Sequence, residues 1–181
     1  MLALRAMQKA EYSPANEGHF GLGAEYYTHF TSPIRRYPDL FIHRIIKAVL
    51  HDKMNVKQEA FWRSISDEAA KHCSLTEREA ESAERVYTDR LVAEYMHRFL
   101  GDVFVGTICN ITGFGMFVRL DNSAEGLIFY NSMPDYMIFD EKKMIAIGET
   151  NRMKYAIGDR VRVKVVNCNV EMGQIEFHFV K

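Results

Sequence analysis

The apolar residues of this chain keep one period up to Gly101 and a different one after it, and that change excludes most single-layer folds. Before it, "PDLFIHRIIKAVLHD" places Leu40, Phe41, Ile45, Val49 and Leu50 at helical spacing, with Pro38 suited to a first turn and Asp39 placed to favour the helix dipole. A second helical region runs from about Gln58 to Cys73, and "CSLTEREAESAERVYTDRLVAEYMHRFLG" then gives a long helix with Gly101 as its stop. Ala83, Tyr87, Leu91, Tyr95 and Phe99 form a four-residue stripe on it, expected to face a core. After Gly101 the period is two: "DVFVGTICNI", "GMFVRLD", "EGLIFY", "DRVRVKVVNCN" and "QIEFHFV" read as five strands. Five short strands in about 80 residues, with a longer connection before the fourth, suit a small Greek-key barrel of the OB type. That connection holds part of "YMIFDEKKMIAIGETNRMKYAIGD". The expected fold class is α+β and multidomain: a mainly helical part over residues 1–100 and a five-stranded barrel over 101–181. "LALRAMQKAEYSP" reads as a helix entered partway along, with no cap before it, so the chain is expected to be a piece of a longer protein.

With 23 basic against 24 acidic side chains, no overall field draws the chain to nucleic acid or an anionic membrane, and any polyanion site must be local. Cys73, Cys109 and Cys168 lie far apart without CxxC spacing, which argues against a zinc site or disulfide framework and fits small hydrophobes in a reducing cytosol. No apolar run approaches the roughly 18 residues needed to span a bilayer. A cytoplasmic protein with no membrane partner is expected.

In "HFTSPIRRYPD", Arg35 and Arg36 stand between Pro33 and Pro38. Pro33 fixes φ for a turn that Ser32 can cap, and Pro38 disfavours α geometry at Tyr37. Ile34 and Tyr37, three apart, would then face a core and throw both guanidinium groups outward. Each is a planar, permanently charged fork suited to phosphate oxygens. The plain alternative is that Asp39 takes one guanidinium as an ion pair. In the barrel, "ITGFGMFVRL" sets Phe114 and Phe117 beside glycines, with Phe129 and Tyr130 on the next strand. Aromatic faces there can stack bases at about 1–3 kcal/mol each without reading sequence, or all four can be core.

Two stretches resemble known families. "GTICNITGFGMFVRLDNSAEGLI" looks like the S1-type RNA-binding domain, and the likeness extends from Gly101 to the end. It implies RNA stacking by Phe114 and Phe117. The family's usual histidine after "GLI" is Phe129 here, able to stack but not to donate to phosphate, and a position on the last hairpin that is often basic is Gln174. Affinity must then come from a local patch such as Arg119, Arg162 and Lys164, with weak, salt-sensitive binding to single-stranded RNA and none to DNA. "YYTHFTSPIRRYPDLFIHRIIKAV" closely resembles the signature near the end of the catalytic domain of the RNB family of exoribonucleases, the family of ribonucleases II and R. "FDEKKMIAIGETNRMKYAIGDRVRVKVV" resembles the insertion that marks the barrel of one branch of it.

The resemblance implies a magnesium-dependent enzyme that degrades single-stranded RNA processively from the 3′ end, releasing nucleoside 5′-monophosphates. It places catalytic assistance at the scissile phosphate on Arg35, RNA contact or support on Arg36 and Tyr37, and a position near the terminal nucleotides on Glu84. Glu84 also reads as an ordinary solvated helix acid beside Glu77, Glu81 and Arg85. The family's metal-binding aspartates have no match here, and Asp39 with His43 four residues on is only a two-ligand set. The Mg2+ ligands, like the N-terminal part of the protein, are expected outside this chain, which alone should be inactive. The competing reading is a non-catalytic RNA-binding or interaction module, in which the arginines are structural.

Overall fold

A computed structural model describes residues 11–180. Helix α1 spans Tyr37–Leu50 and carries Pro38 in its first turn, as the spacing predicts. Helix α2 is a single element, Val56–His97. Asn55 starts it, its side-chain oxygen accepting the Gln58 N–H at 3.0 Å. The two helical regions expected on either side of Cys73 are continuous: Thr76 Oγ1 donates back within the helix to His72 O at 3.0 Å and Cys73 O at 3.2 Å, while Ser74 Oγ accepts the Tyr12 N–H from outside it. Of the helix expected over "LALRAMQKAEYSP", residues 2–10 lie outside the described residues, and Tyr12 to Pro14 are not helical.

The chain divides into two compact units, Met1–Ser82 and Ala83–Lys181, so the boundary falls inside α2 and its last turns belong with the barrel. There Ala93 and Met96 are fully buried, with Val92 and Phe99 packed beside them. The expected stripe is a correction: Tyr87, Leu91 and Tyr95 are about half exposed or more. A strict spacing of four advances about 400° per step, so such a stripe drifts around the helix and only its end reaches the core. The helix ends at His97, four residues before the expected stop, and Gly101, at φ +93°, closes the turn that follows, its N–H donating to Val165 O at 2.8 Å.

The five expected strands form a closed barrel. They are β1 (Val103–Ile111), β2 (Gly115–Leu120), β3 (Glu125–Phe129), β7 (Arg160–Asn169) and β8 (Gln174–Val180), in the order β1-β2-β3-β8-β7 with β7 returning to β1. All pairings are antiparallel except β3 with β8, the Greek-key closure of an OB barrel. Period two sends Ile108, Met116, Val118, Ile128, Val163, Val165 and Phe177 inward, all with no exposed surface. The long connection is itself a small antiparallel sheet of β4 (Met137–Asp140), β5 (Ile145–Gly148) and β6 (Lys154–Ala156). It covers the core with Met137, Ala146 and Tyr155.

Candidate functional site

The arginine turn lies in the first unit. Ser32 O accepts the N–H groups of Arg35 and Arg36 at 3.2 and 3.0 Å, so the capping atom is the Ser32 carbonyl, not its hydroxyl. Asp39, in the first turn of α1, is fully buried. Its Oδ1 accepts the Ser32 N–H at 2.6 Å and Arg36 Nη2 at 2.8 Å. Burial penalises the charge on Asp39, but the hydrogen bonds from Arg36 and the Ser32 N–H outweigh it and hold the carboxyl below the usual carboxylate range. The guanidinium of Arg36 is held above its ordinary value by the same bond to Asp39.

Two expectations fail here. Ile34 is 98 % exposed and Tyr37 is 44 % exposed, so they do not face a core within this unit. Nor is Arg36 thrown outward: its side chain is 21 % exposed and clamped to Asp39. The two adjacent residues diverge because α1 turns Asp39 back towards the strand-like Arg36 at φ −123°, three residues before it. Arg35 is exposed, and no hydrogen bond or ion pair engages its guanidinium among the described residues. Tyr37 lies under Arg44, whose guanidinium carbon is 6.0 Å from the ring centre.

Asp39 and His43 do not form a metal site. Both Asp39 bonds are structural, and His43 Nε2 sits 2.8 Å from Phe30 O, where only a protonated nitrogen can bond. No group of three or more His, Cys, Asp or Glu side chains that could hold a metal ion occurs among the described residues. Glu84 is exposed on α2, in the second unit, in no ion pair among the described residues.

The barrel carries the aromatic surface. Phe114, in the β1–β2 loop, is 56 % exposed and Phe129, ending β3, is 36 % exposed, whereas Phe117 is half-buried on β2. The rings of Phe114 and Phe117 meet edge to face with centroids 6.3 Å apart. Between them Gly115 pairs with Phe129 across the ladder, and a Cβ there would lie 2.4 Å from Ile128 O. The Tyr130 N–H donates to Phe114 O at 3.1 Å and fixes the loop. Tyr130 itself packs on the core, and its hydroxyl donates to Thr112 O at 2.8 Å. Three aromatic side chains thus line one surface and the fourth is structural.

The expected basic patch is not assembled. Arg119 is on β2, but its Nη2 donates to Glu125 Oε2 at 3.0 Å across the ladder. Arg162 and Lys164 are exposed on β7, with β1 between that strand and β2. The apolar outward residues Val103 and Val105 stand opposite them, so these two cations lie apart from the aromatics, whereas Arg119 shares β2 with Phe117. Cys109 lies beneath, donating from Sγ to Phe117 O at 3.4 Å, and burial pushes its thiol up to about 11. Cys73 and Cys168 are buried and raised by the same cause, so all three favour the neutral thiol.

The RNB domain family matches residues 1–52 and the S1 RNA binding domain family matches residues 98–178. The chain is 42 % identical over 180 residues to ribonuclease R 1 of Lactococcus lactis, covering 99 % of this chain. The apo form of Mycoplasma genitalium RNase R superposes with a TM-score of 0.92 at 34 % identity, again over 99 % of this chain. The same enzyme in complex with ribose methylated single-stranded RNA matches equally well. The chain belongs to the ribonuclease R family. It spans 22 % of the length of the Lactococcus ribonuclease R and 28 % of the Mycoplasma chain. Arg35, Arg36 and Tyr37 fall inside the RNB match. Phe114, Phe117, Arg119, Phe129, Arg162 and Lys164 fall inside the S1 match, and Glu84 falls in neither. Among the described residues no helix is long and apolar enough to cross a membrane. The ion pair weighed for Asp39 in the sequence is present and falls to Arg36, whereas its second bond, from the Ser32 N–H, had no sign in the sequence.

Proposed function

We propose that this chain supplies the arginine-bearing end of a catalytic domain, residues 1–100, and an RNA-binding barrel, residues 101–181, to a processive 3′-to-5′ exoribonuclease acting on single-stranded RNA. The observation that carries the reading is the contrast between neighbours: Arg36 is consumed by Asp39, whereas Arg35 is exposed and unengaged. In such a reaction water attacks phosphorus, the bond to the 3′ oxygen breaks, that oxygen takes a proton, and a nucleoside 5′-monophosphate leaves. The charge gathering on the phosphate oxygens is what a fixed guanidinium stabilises. Phe114, Phe117 and Phe129 stack bases of the strand, with Arg162 and Lys164 supplying longer-range attraction. Tyr37 and Glu84 stay in the reading as RNA-contacting positions, and Arg36 as a support for Arg35.

The family works with a divalent metal, Mg2+ in this reading, but the described residues offer no ligand set for it and no step is assigned to the metal here. The 181-residue chain alone is therefore inactive, in a cytoplasmic enzyme whose metal ligands lie elsewhere. The test is Arg35→Ala in the full-length protein, followed on a 5′-labelled single-stranded RNA. The expected result is turnover lower by about a thousandfold or more with RNA binding retained. Unchanged turnover would assign the arginine turn to a binding or interaction module.

A further inference from the structure

We infer that Asp39 is a positioning residue for Arg35, by closing the Ser32–Arg36 turn at both ends through a single carboxylate oxygen. The inference rests on the catalytic reading of Arg35. The turn has two closures. The Ser32 carbonyl gathers the N–H groups of Arg35 and Arg36, and Asp39 Oδ1 then ties the Ser32 N–H to the Arg36 guanidinium. Ser32 is thus fixed through both of its backbone polar groups. Arg35 lies between two anchored residues, with no tether of its own among the described residues. Its backbone is held while its side chain is left free to meet a ligand.

A role in stability alone fits the details less well. A buried ion pair is a poor source of stability, since well-packed apolar residues often serve as well or better. Here the carboxylate is fully buried and uses only one oxygen: Asp39 Oδ2 is buried without a hydrogen-bond partner, and so is Arg36 Nε. Charge is being buried at a cost, with the bonds concentrated on the one atom that sets the geometry of the turn. Orientation is the property such an arrangement delivers, and small displacements of a catalytic group can cost about a hundredfold in rate.

The experiment is a double-mutant cycle in the full-length protein, read as single-turnover rate at saturating RNA together with KM. Asp39→Ala is expected to lower kcat about a hundredfold with KM little changed. In an Arg35→Ala background it is expected to cause no further loss, because there is no guanidinium left to aim. Asp39→Asn keeps an acceptor at Oδ1 and puts its amide where Oδ2 has no partner to lose, so it should recover most of the rate. An equal loss from Asp39→Ala with and without Arg35 would overturn the inference and leave the catalytic reading standing. Full turnover by Arg35→Ala alone would overturn both. Should Asp39→Ala fail to fold, as judged by its thermal unfolding against the unaltered protein, Arg36→Met opens the same clamp from the other side. It must show the same dependence on Arg35, and additivity there overturns the proposal equally.

Discussion

In Ala83–Lys181 eighteen apolar side chains are buried, from Ala93 to Phe177, whereas in Met1–Ser82 the buried side chains among the described residues are Cys73, Asp39 and Ser74. The barrel is held by volume, the helical unit by single ties. Tyr12 N–H donates to Ser74 Oγ at 2.9 Å, His43 Nε2 donates to Phe30 O, and Phe41 meets Trp62 edge to face at 5.2 Å. Phe20, Tyr26, Ile34 and Leu50 are meanwhile mostly exposed. Packing free energy scales with area and tolerates small displacements, but gives little direction. Hydrogen bonds are each worth only about 0.5–1.5 kcal/mol net, yet fix angles. The difference matches the work proposed for each: a barrel wall must present a surface, and the arginine turn must aim one group.

The largest effect that tests this contrast is on the barrel core. Phe177 has no exposed surface, and Phe177→Ala is expected to cost about 3–5 kcal/mol of the barrel's stability. Trp62, the single tryptophan, lies in the helical unit, so its fluorescence reports that unit while hydrogen exchange of the β7 and β8 amides follows the barrel. The Trp62 midpoint should stay in place, and an equal shift of both signals would break the division into two units. Gly126→Ala acts on the same ring by crowding. A Cβ there would lie 2.5 Å from Phe177 Cε2, for an expected loss of about 1–3 kcal/mol.

A surface change should separate binding from stability. Phe114→Ala removes a side chain that is 56 % exposed, so the barrel's unfolding midpoint should hold within error. Affinity for a fluorescent single-stranded RNA, read by anisotropy at fixed salt, should fall by about 1–3 kcal/mol. If affinity holds and stability drops, the ring is packing and the aromatic surface is not the RNA contact.

The same contrast decides how much could be read from sequence. The five barrel strands were legible because alternation along them is the direct image of a closed core: Val161, Val163 and Val165 all point in. The sheet of β4 to β6 was not, because its strands are three or four residues long and its turns place Met144 at φ 53° and Arg152 at φ 56° without glycine. That Phe114 and Phe129 are exposed and Tyr130 packs inward is a matter of burial that alternation alone left open, and the separation of Arg119 from Arg162 and Lys164 was hidden as well. Strand order in a barrel and the cross-strand partner Glu125 are long-range facts. At the arginine turn the sequence left open which guanidinium Asp39 takes. Two adjacent arginines and one aspartate permit either pairing, and only the path of the backbone assigns Asp39 to Arg36.

Acid should sharpen the contrast from the other side. Because Asp39 is held below the usual carboxylate range, the stability it contributes is fully present above about pH 3.9, the unfolded value, and is lost as pH falls through the lower native value. The Trp62 midpoint should therefore fall in acid, and Asp39→Asn should flatten that fall. The barrel signal keeps its own acid response in this variant, since Asp135 is held low by the N–H groups of Asn151 and Thr150. An unchanged acid limb in the Trp62 signal of Asp39→Asn would mean that the clamp adds nothing to the helical unit's stability.

The smallest expected effect concerns Arg119, the one arginine on the outward face of the strand that carries Phe117. Its pair with Glu125 is half exposed on both sides, so breaking it should leave stability nearly unchanged. What changes is its availability: with Glu125→Gln the guanidinium is released two residues along β2 from an aromatic ring proposed to stack RNA. One added phosphate contact steepens the fall of log K with log salt by about 0.7 for a single strand. The barrel variant should thus bind RNA more tightly at low salt and converge with the unaltered protein at high salt. Parallel salt lines would show that Arg119 does not reach the strand even when free, and would leave the longer-range attraction to Arg162 and Lys164 on β7.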